Sequence, residues 1–261
     1  MTGPIMDTAA VTAAIREVAD TEILPKFRAL ADDEIIEKRP GDVVTVADRL
    51  AEQALTRIFR AANPDCLVVG EEGIYADPAP LKALPGAELA WVIDPIDGTR
   101  NFASGSPDFA VMVAEVRSGV TTRGWIWQPM TGRGYVAERG AGVRMNGEPI
   151  ERASHDRLPL GATSKKKLLG FDADGRLSPV VSSNFCCAFD YPALLHGDID
   201  FIFYSSVHPW DHLAGALMVT ENGGIARTLD GISYTLLSRS RGLLVAADTM
   251  SWMAAQQLWP V

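Results

Sequence analysis

Four acids stand where apolar runs end or helices begin. Glu71 closes "CLVVGE", Asp94 and Asp97 lie in "WVIDPIDGTRNF" at residues 91–102, and Asp211 lies in "PWDHLAG". Pro95 and Ile96 separate Asp94 from Asp97, so a sharp turn can aim both carboxylates and an intervening carbonyl at one point. Hard divalent cations such as Mg²⁺ take oxygen ligands, usually a few carboxylates completed by water and substrate phosphate. Gly98 and Thr99 follow directly, and a helix starting there would offer backbone N–H groups to an anion. Cations beside an anion cradle make a phosphate site. On these residues alone a structural alternative stays open: an Asp-rich turn capping a strand, with the other acids solvated as carboxylates usually are.

The elements that must position these acids can be read from apolar spacing. Residues 7–31 read as a helix with Val11, Ile15 and Val18 on one face, kinked or ended by Pro25. A second helix fits residues 48–62, with Leu50, Leu55, Ile58 and Phe59 on one face and Asp48 as its acidic cap. Residues 66–72 and 89–95 read as buried strands ending in acids. From Phe109 to Gly147, turn signals at Ser118-Gly119, Thr131-Gly132 and Asn146-Gly147 predict an antiparallel meander. Beyond residue 148 strands and helices alternate: "DFIFYSS", then "WDHLAGALMVTENGG" with its Gly223-Gly224 stop, then "GLLVAA" and a helix from Asp248. This order predicts two layered subdomains. Residues 1–147 would carry an antiparallel sheet and most of the acids, and residues 148–261 would complete the site and its pocket.

The chain has 261 residues, 47% hydrophobic and 22% charged, which suits a soluble globular protein with one large core or two small ones. A formal net charge of -9 argues against a nucleic-acid surface, which needs clustered Lys and Arg. An acidic protein can still bind a phosphorylated ligand where metal ions reverse the local sign. No basic segment followed by an apolar one opens the chain, so no signal peptide is expected. No apolar stretch approaches the roughly 20 residues of a membrane span. Cys66, Cys186 and Cys187 are odd in number and two are adjacent, which makes no disulfide framework and points to a reducing cytoplasm. The Lys165-Lys166-Lys167 run reads as a solvated loop.

"GEE" at 70–72, "WVIDPIDGTRNF" at 91–102, "PWDHLAGALMVTENGG" at 209–224 and, upstream, "GDVVTVAD" at 41–48 closely resemble, in order and spacing, the signatures of the inositol monophosphatase family. The resemblance implies an α+β / α/β fold, a layered αβαβα sandwich of the inositol monophosphatase and fructose-1,6-bisphosphatase type. It implies Mg²⁺-dependent, lithium-sensitive hydrolysis of a small polyol, sugar or amino-alcohol phosphate by a metal-activated water, with two or three ions per site, in a cytoplasmic homodimer. Glu71, Asp94 and the carbonyl of Ile96 would then hold one metal. Asp94 would bridge to a second, completed by Asp97 and Asp211. Gly98 and Thr99 would hold phosphate oxygens, Thr99 and Asp48 would orient and deprotonate the attacking water, and Glu72 would stand behind the ligands. Glu71 also belongs to the implied catalytic set.

Three departures fall in the substrate half. Family members acting on inositol phosphate carry an acid seven positions before the Trp-Asp aspartate, where this chain has Tyr204. They carry Gly-Ser/Thr-Ala-Ala where it has "FCCA" at 185–188, and residues 161–181 are short and irregular. A phenol offers one donor and a flat face, so inositol 1-phosphate is expected to be a poor substrate and a less hydroxylated or aromatic phosphate a better one. Asp97 and Tyr204 are the expected substrate contacts; the alternative is that Tyr204 packs at the subdomain boundary. Histidinol phosphate, a nucleotide 3′-phosphate, or a binding role on the same scaffold stay open as other functions. No membrane and no nucleic-acid substrate is expected.

Overall fold

The computed structural model describes residues 6–39, 42–153, 155–238 and 242–260; Gly41, which opens the "GDVVTVAD" stretch, lies outside them. Helix α1 (Thr8–Val18) starts where the Asp7 carboxylate accepts the N–H of Ala10 at 2.7 Å. It does not run to residue 31. The chain widens into a π turn at Ala19–Ile23 and tightens into a 3₁₀ turn at Leu24–Lys26, because Pro25 has no N–H to continue the ladder. Strands β1 (Ile35–Arg39) and β2 (Asp42–Thr45) pair antiparallel. Helix α2 (Val46–Ala62) starts earlier than its apolar face suggested. Thr45 is the cap and Asp48 the third helical residue, whose carboxylate reaches back to the Thr45 N–H, so the acid closes a capping box and is not itself the cap.

Next come β3 (Leu67–Gly70), two short helices α3 (Glu71–Ala76) and α4 (Ala79–Ala83), β4 (Leu89–Asp97) and helix α5 (Thr99–Ala103). The expected meander follows as β5 (Ala110–Arg117), β6 (Val120–Gln128), β7 (Arg133–Glu138), β8 (Gly142–Met145) and β9 (Glu148–Pro149). The order β3-β4-β5-β6-β7-β8-β9 makes one seven-stranded sheet in which β3 and β4 are parallel and every other pair antiparallel. Strand β4 does not stop at Asp94. It continues to Asp97 across a break in register between the two acids, where Pro95 could not have donated to the ladder.

The second sheet contains β10 (Leu160–Thr163), β11 (Ser178–Ser182), β12 (Phe201–Tyr204), β13 (Ile225–Arg227) and β14 (Leu243–Ala246), in the order β11-β10-β12-β14-β13. Helices α6 (Cys187–His196), α7 (Pro209–Glu221) and α8 (Thr249–Leu258) accompany it. The period of two along a strand explains the layers. On β4 and β5, Ala90, Val92, Ala110, Met112 and Ala114 face α6 and α7, while Trp91, Ile93, Val111 and Val113 face α1 and α2. Both faces are covered, so these strands read as continuous apolar runs. On the far side of the second sheet, Phe201, Phe203, Leu244 and Ala246 pack on Trp252 and Ala255 of α8. The result is the αβαβα order expected. Helix α7 is buried almost all round, and at Gly215 a methyl group would come within 2.1 Å of the Tyr191 ring. Among the described residues no helix is long and apolar enough to cross a membrane.

One ionic cluster ties the N-terminal segment to the sheet. Glu115 on β5 accepts from Arg117 at 2.9 Å and Arg123 at 2.5 Å, while Arg123 also donates to Met6 O and Thr8 Oγ1. These hydrogen bonds outweigh the effect of burial and hold the Glu115 carboxyl down at about 2. A carboxyl depressed on folding stabilises above its unfolded value near 4.5 and loses that contribution as pH falls through about 2. We expect Glu115→Gln to cost about 1–3 kcal/mol at neutral pH, because the two partly solvated guanidiniums soften the loss. Thermal melts of variant and wild type should converge as pH falls toward 2; a constant gap down to that pH would show that lost packing, not charge, is responsible.

Candidate active site

The parallel pairing of β3 with β4, with Gly70 opposite Ile93, brings the ends of both strands to one edge of the sheet. Glu71, the first residue of α3, therefore stands beside Asp94. Asp211 arrives from the middle layer in the first turn of α7. Oxygen atoms of Glu71, Asp94 and Asp211 all lie within 4.8 Å of one another. Burial first, then mutual repulsion, holds Asp94 and Asp211 well above the usual carboxylate range. Burial pushes Glu71 up to about 7 against the pull of Lys38. Asp94 is 2% exposed, and its Oδ1 is buried with no hydrogen-bond partner among the described residues. An orphaned oxygen inside a cluster of three acids is what a hard cation satisfies, so this all-oxygen donor set fits Mg²⁺.

Asp97 stands apart from that trio. Its Oδ2 accepts the Ala188 N–H at 2.5 Å and the Cys186 Sγ–H at 3.0 Å, so this oxygen is turned to the first turn of α6. Free N–H groups at a helix start attract a carboxylate, and the register break in β4 swings Asp97 toward them. Burial raises its pKa and the hydrogen bonds oppose the rise.

After Asp97 the backbone turns through Gly98 at φ +85°, where a Cβ would also lie 2.9 Å from Asp108 O; only glycine makes this bend without strain. Helix α5 has only five residues, so it adds little dipole. The Thr99 hydroxyl lies 3.1 Å from Asp48 Oδ1 and 2.9 Å from the Ile96 carbonyl. Asp48 is 1% exposed behind Thr99. Burial pushes it up to about 7 even though Thr45 donates both its N–H and its hydroxyl, at 2.8 and 2.5 Å, to Oδ2.

A cavity of about 660 Å³ opens over the acids. Glu71, Asp94, Ile96, Asp97, Gly98, Thr99 and Asp211 line it, so every residue singled out for metal or phosphate reaches one space, with Asp48 behind it. Tyr204 lines it too, with its ring 5.6 Å from Tyr191 and 4.7 Å from His212. Its hydroxyl is buried with no hydrogen-bond partner among the described residues. The lysines 165–167 are exposed and do not line the cavity.

Three residues at the site were missed from the sequence, and Lys38 and Glu52 carried no local signal. Lys38 on β1 donates to Glu71 Oε1 at 3.2 Å and Glu72 Oε1 at 2.9 Å across more than thirty residues. Glu52 on α2 accepts the N–H groups of Glu72 and Gly73, both at 2.8 Å, and so holds the start of α3. Asp190, pushed up to about 7 by burial, accepts from the N–H and the Nδ2 of Asn184. Its signal was available: an acid inside the apolar run "FCCAFDYPALL" seldom sits in a buried helix without a partner.

Comparison with known proteins agrees with this geometry. The inositol monophosphatase family model matches residues 5–260. The chain is 30% identical over 250 residues to Nus factor SuhB of Pseudomonas aeruginosa, covering 87% of this chain and 88% of that protein. It is 29% identical over 215 residues to the fructose-1,6-bisphosphatase/inositol-1-monophosphatase of Thermotoga maritima, covering 78% and 79%. An IMPase structure from Thermotoga maritima superposes with a TM-score of 0.80 at 24% identity, over 97% of this chain and 98% of that one, a likeness of fold. Edge-to-edge strands, three clustered acids, a glycine bend and a match over nearly the whole length lead to one conclusion: the chain belongs to the inositol monophosphatase family.

Proposed function

We propose that this protein is a Mg²⁺-dependent hydrolase of a small phosphate monoester, acting as a homodimer. The observation that carries the reading is the unpartnered, buried Oδ1 of Asp94 among Glu71 and Asp211. Glu71, Asp94, the Ile96 carbonyl, Asp97 and Asp211 would hold two or three Mg²⁺ ions, which when bound polarise the phosphoryl group and lower the pKa of water. Gly98 and Thr99 present their N–H groups to the phosphate oxygens. Thr99 takes a proton from the attacking water through its hydroxyl and passes its own to Asp48, which is buried and close to neutral pH in its titration. Phosphoryl transfer asks mainly for positioning and charge stabilisation, and no Cys or Ser nucleophile is assigned. Cys186 is instead a donor to Asp97.

A panel of monoesters including inositol 1-phosphate, glycerol phosphates, histidinol phosphate and nucleotide 3′-phosphates tests the reading. We expect phosphate release with Mg²⁺ on at least one of them, and its disappearance on adding a chelator. Equal turnover without metal would overturn the proposal. The likeness to proteins named Nus factor SuhB favours a second reading, binding of another macromolecule on a phosphatase scaffold. A panel with no Mg²⁺-dependent release would favour that one.

A further inference from the structure

Phe185 combines two unfavourable features in one residue. Its backbone sits at φ +55°, a region that a bulky side chain rarely adopts and glycine enters freely. The residue is 58% exposed although its side chain is large and apolar. Neither feature helps folding, and both would vanish with glycine.

The loop is nevertheless built to keep Phe185 in place. Ahead of it, Asn184 donates its N–H and its Nδ2 to Asp190 Oδ1 at 2.8 and 2.9 Å, and Asn101 Nδ2 reaches Asn184 O at 3.3 Å. Behind it, Cys186 and Ala188 donate to Asp97. The Phe185 N–H itself points to Ser183 Oγ at 3.3 Å. Strained residues that their surroundings hold in place cluster at functional sites. The space it borders is the cavity over the acids, where Phe203 and Tyr204 are further aromatic lining residues alongside polar ones such as Asn101 and Ser183.

We propose that Phe185 is a stacking platform for the leaving group, and that the substrate is the phosphate monoester of an alcohol bearing a planar aromatic or heteroaromatic ring. The proposal rests on the phosphatase reading and names its substrate class. A flat π-face accepts another ring in offset or edge geometry and gains more from it than from a saturated ring of equal size. The phosphate would meet Gly98 and Thr99 while the ring reaches the loop at 183–186.

Binding is read by calorimetry with Mg²⁺ and two non-hydrolysable probes, 3-phenylpropylphosphonate and 3-cyclohexylpropylphosphonate. The wild type should bind the phenyl probe roughly 3–10-fold more tightly. This ratio should fall to near one in Phe185→Leu and persist in Phe185→Tyr. Phe185→Gly should abolish the ratio while leaving Tm unchanged or higher, because relief of strain accompanies loss of the platform. Equal affinities in the wild type, no binding of either probe at millimolar concentration, a ratio unmoved by Phe185→Leu, or a lower Tm in Phe185→Gly would each overturn the proposal. Turnover of 2-phenylethyl phosphate is measured alongside. Ring-selective binding with no Mg²⁺-dependent release from this ester or from any member of the panel would overturn the phosphatase reading and keep the platform; turnover without ring selectivity would do the reverse.

Discussion

Asp94→Asn is expected to reduce kcat/KM by about 10³-fold, well past the roughly 10–100-fold that loss of an outer partner of a metal ligand costs. The residue belongs to the cluster with Glu71 and Asp211, and its Oδ1 has no partner among the described residues. An amide keeps the shape and removes the charge that a cation needs. It also removes repulsion among three clustered carboxylates, so the metal-free variant should melt no lower than the metal-free wild type. Mg²⁺ should raise the wild-type Tm, by an amount equivalent to about 2.7 kcal/mol at a hundredfold excess over Kd, and leave the variant unmoved. A variant that keeps near-wild-type turnover or the Mg²⁺-induced shift would remove Asp94 from the metal site.

Thr99→Ala is expected to lower kcat by about 10²–10⁴-fold while keeping the Mg²⁺-induced rise in Tm. The hydroxyl links the cavity to Asp48, which is 1% exposed and lies 3.1 Å from it. Thr99 and Asp48 would act in series, so Thr99→Ala combined with Asp48→Asn should be little worse than either alone. Thr99→Ser keeps the hydroxyl and should keep most of the activity. Losses that multiply in the double variant would show two independent roles. Loss of the Mg²⁺-induced shift in Thr99→Ala would make the residue structural, through its 2.9 Å contact with the Ile96 carbonyl.

The acids were legible in the sequence because each sits at a change of local rhythm, where an apolar run gives way to a charge and then to a glycine or a helix start. The same rhythm placed the meander and the later alternation of strands and helices. It was less reliable at boundaries. Asp48 looked like a cap because it precedes an apolar face, yet Thr45 is the cap and the helix begins at Val46. The first helix looked long because its apolar spacing continues toward Pro25, which ends regular structure several residues sooner than the pattern does.

What the sequence by itself determined is the inventory and its local geometry: which acids are available, that Pro95 and Gly98 bend the chain between and after two of them, and which strands are covered on both faces. Those features depend on residues within a turn or a strand of one another. Tertiary structure decided which atoms each acid meets. Asp97 turns an oxygen to Ala188, 91 residues away, because α6 presents unpaired N–H groups there, while Asp94 keeps an oxygen without a partner among the described residues. Lys38 on β1 reaches Glu71 and Glu72, and Tyr191 and His212 pack beside the Tyr204 ring. Neither contact has a local signature. Each is set by how the layers close on one another, and periodicity along the chain specifies the faces that meet without specifying the side chains that touch.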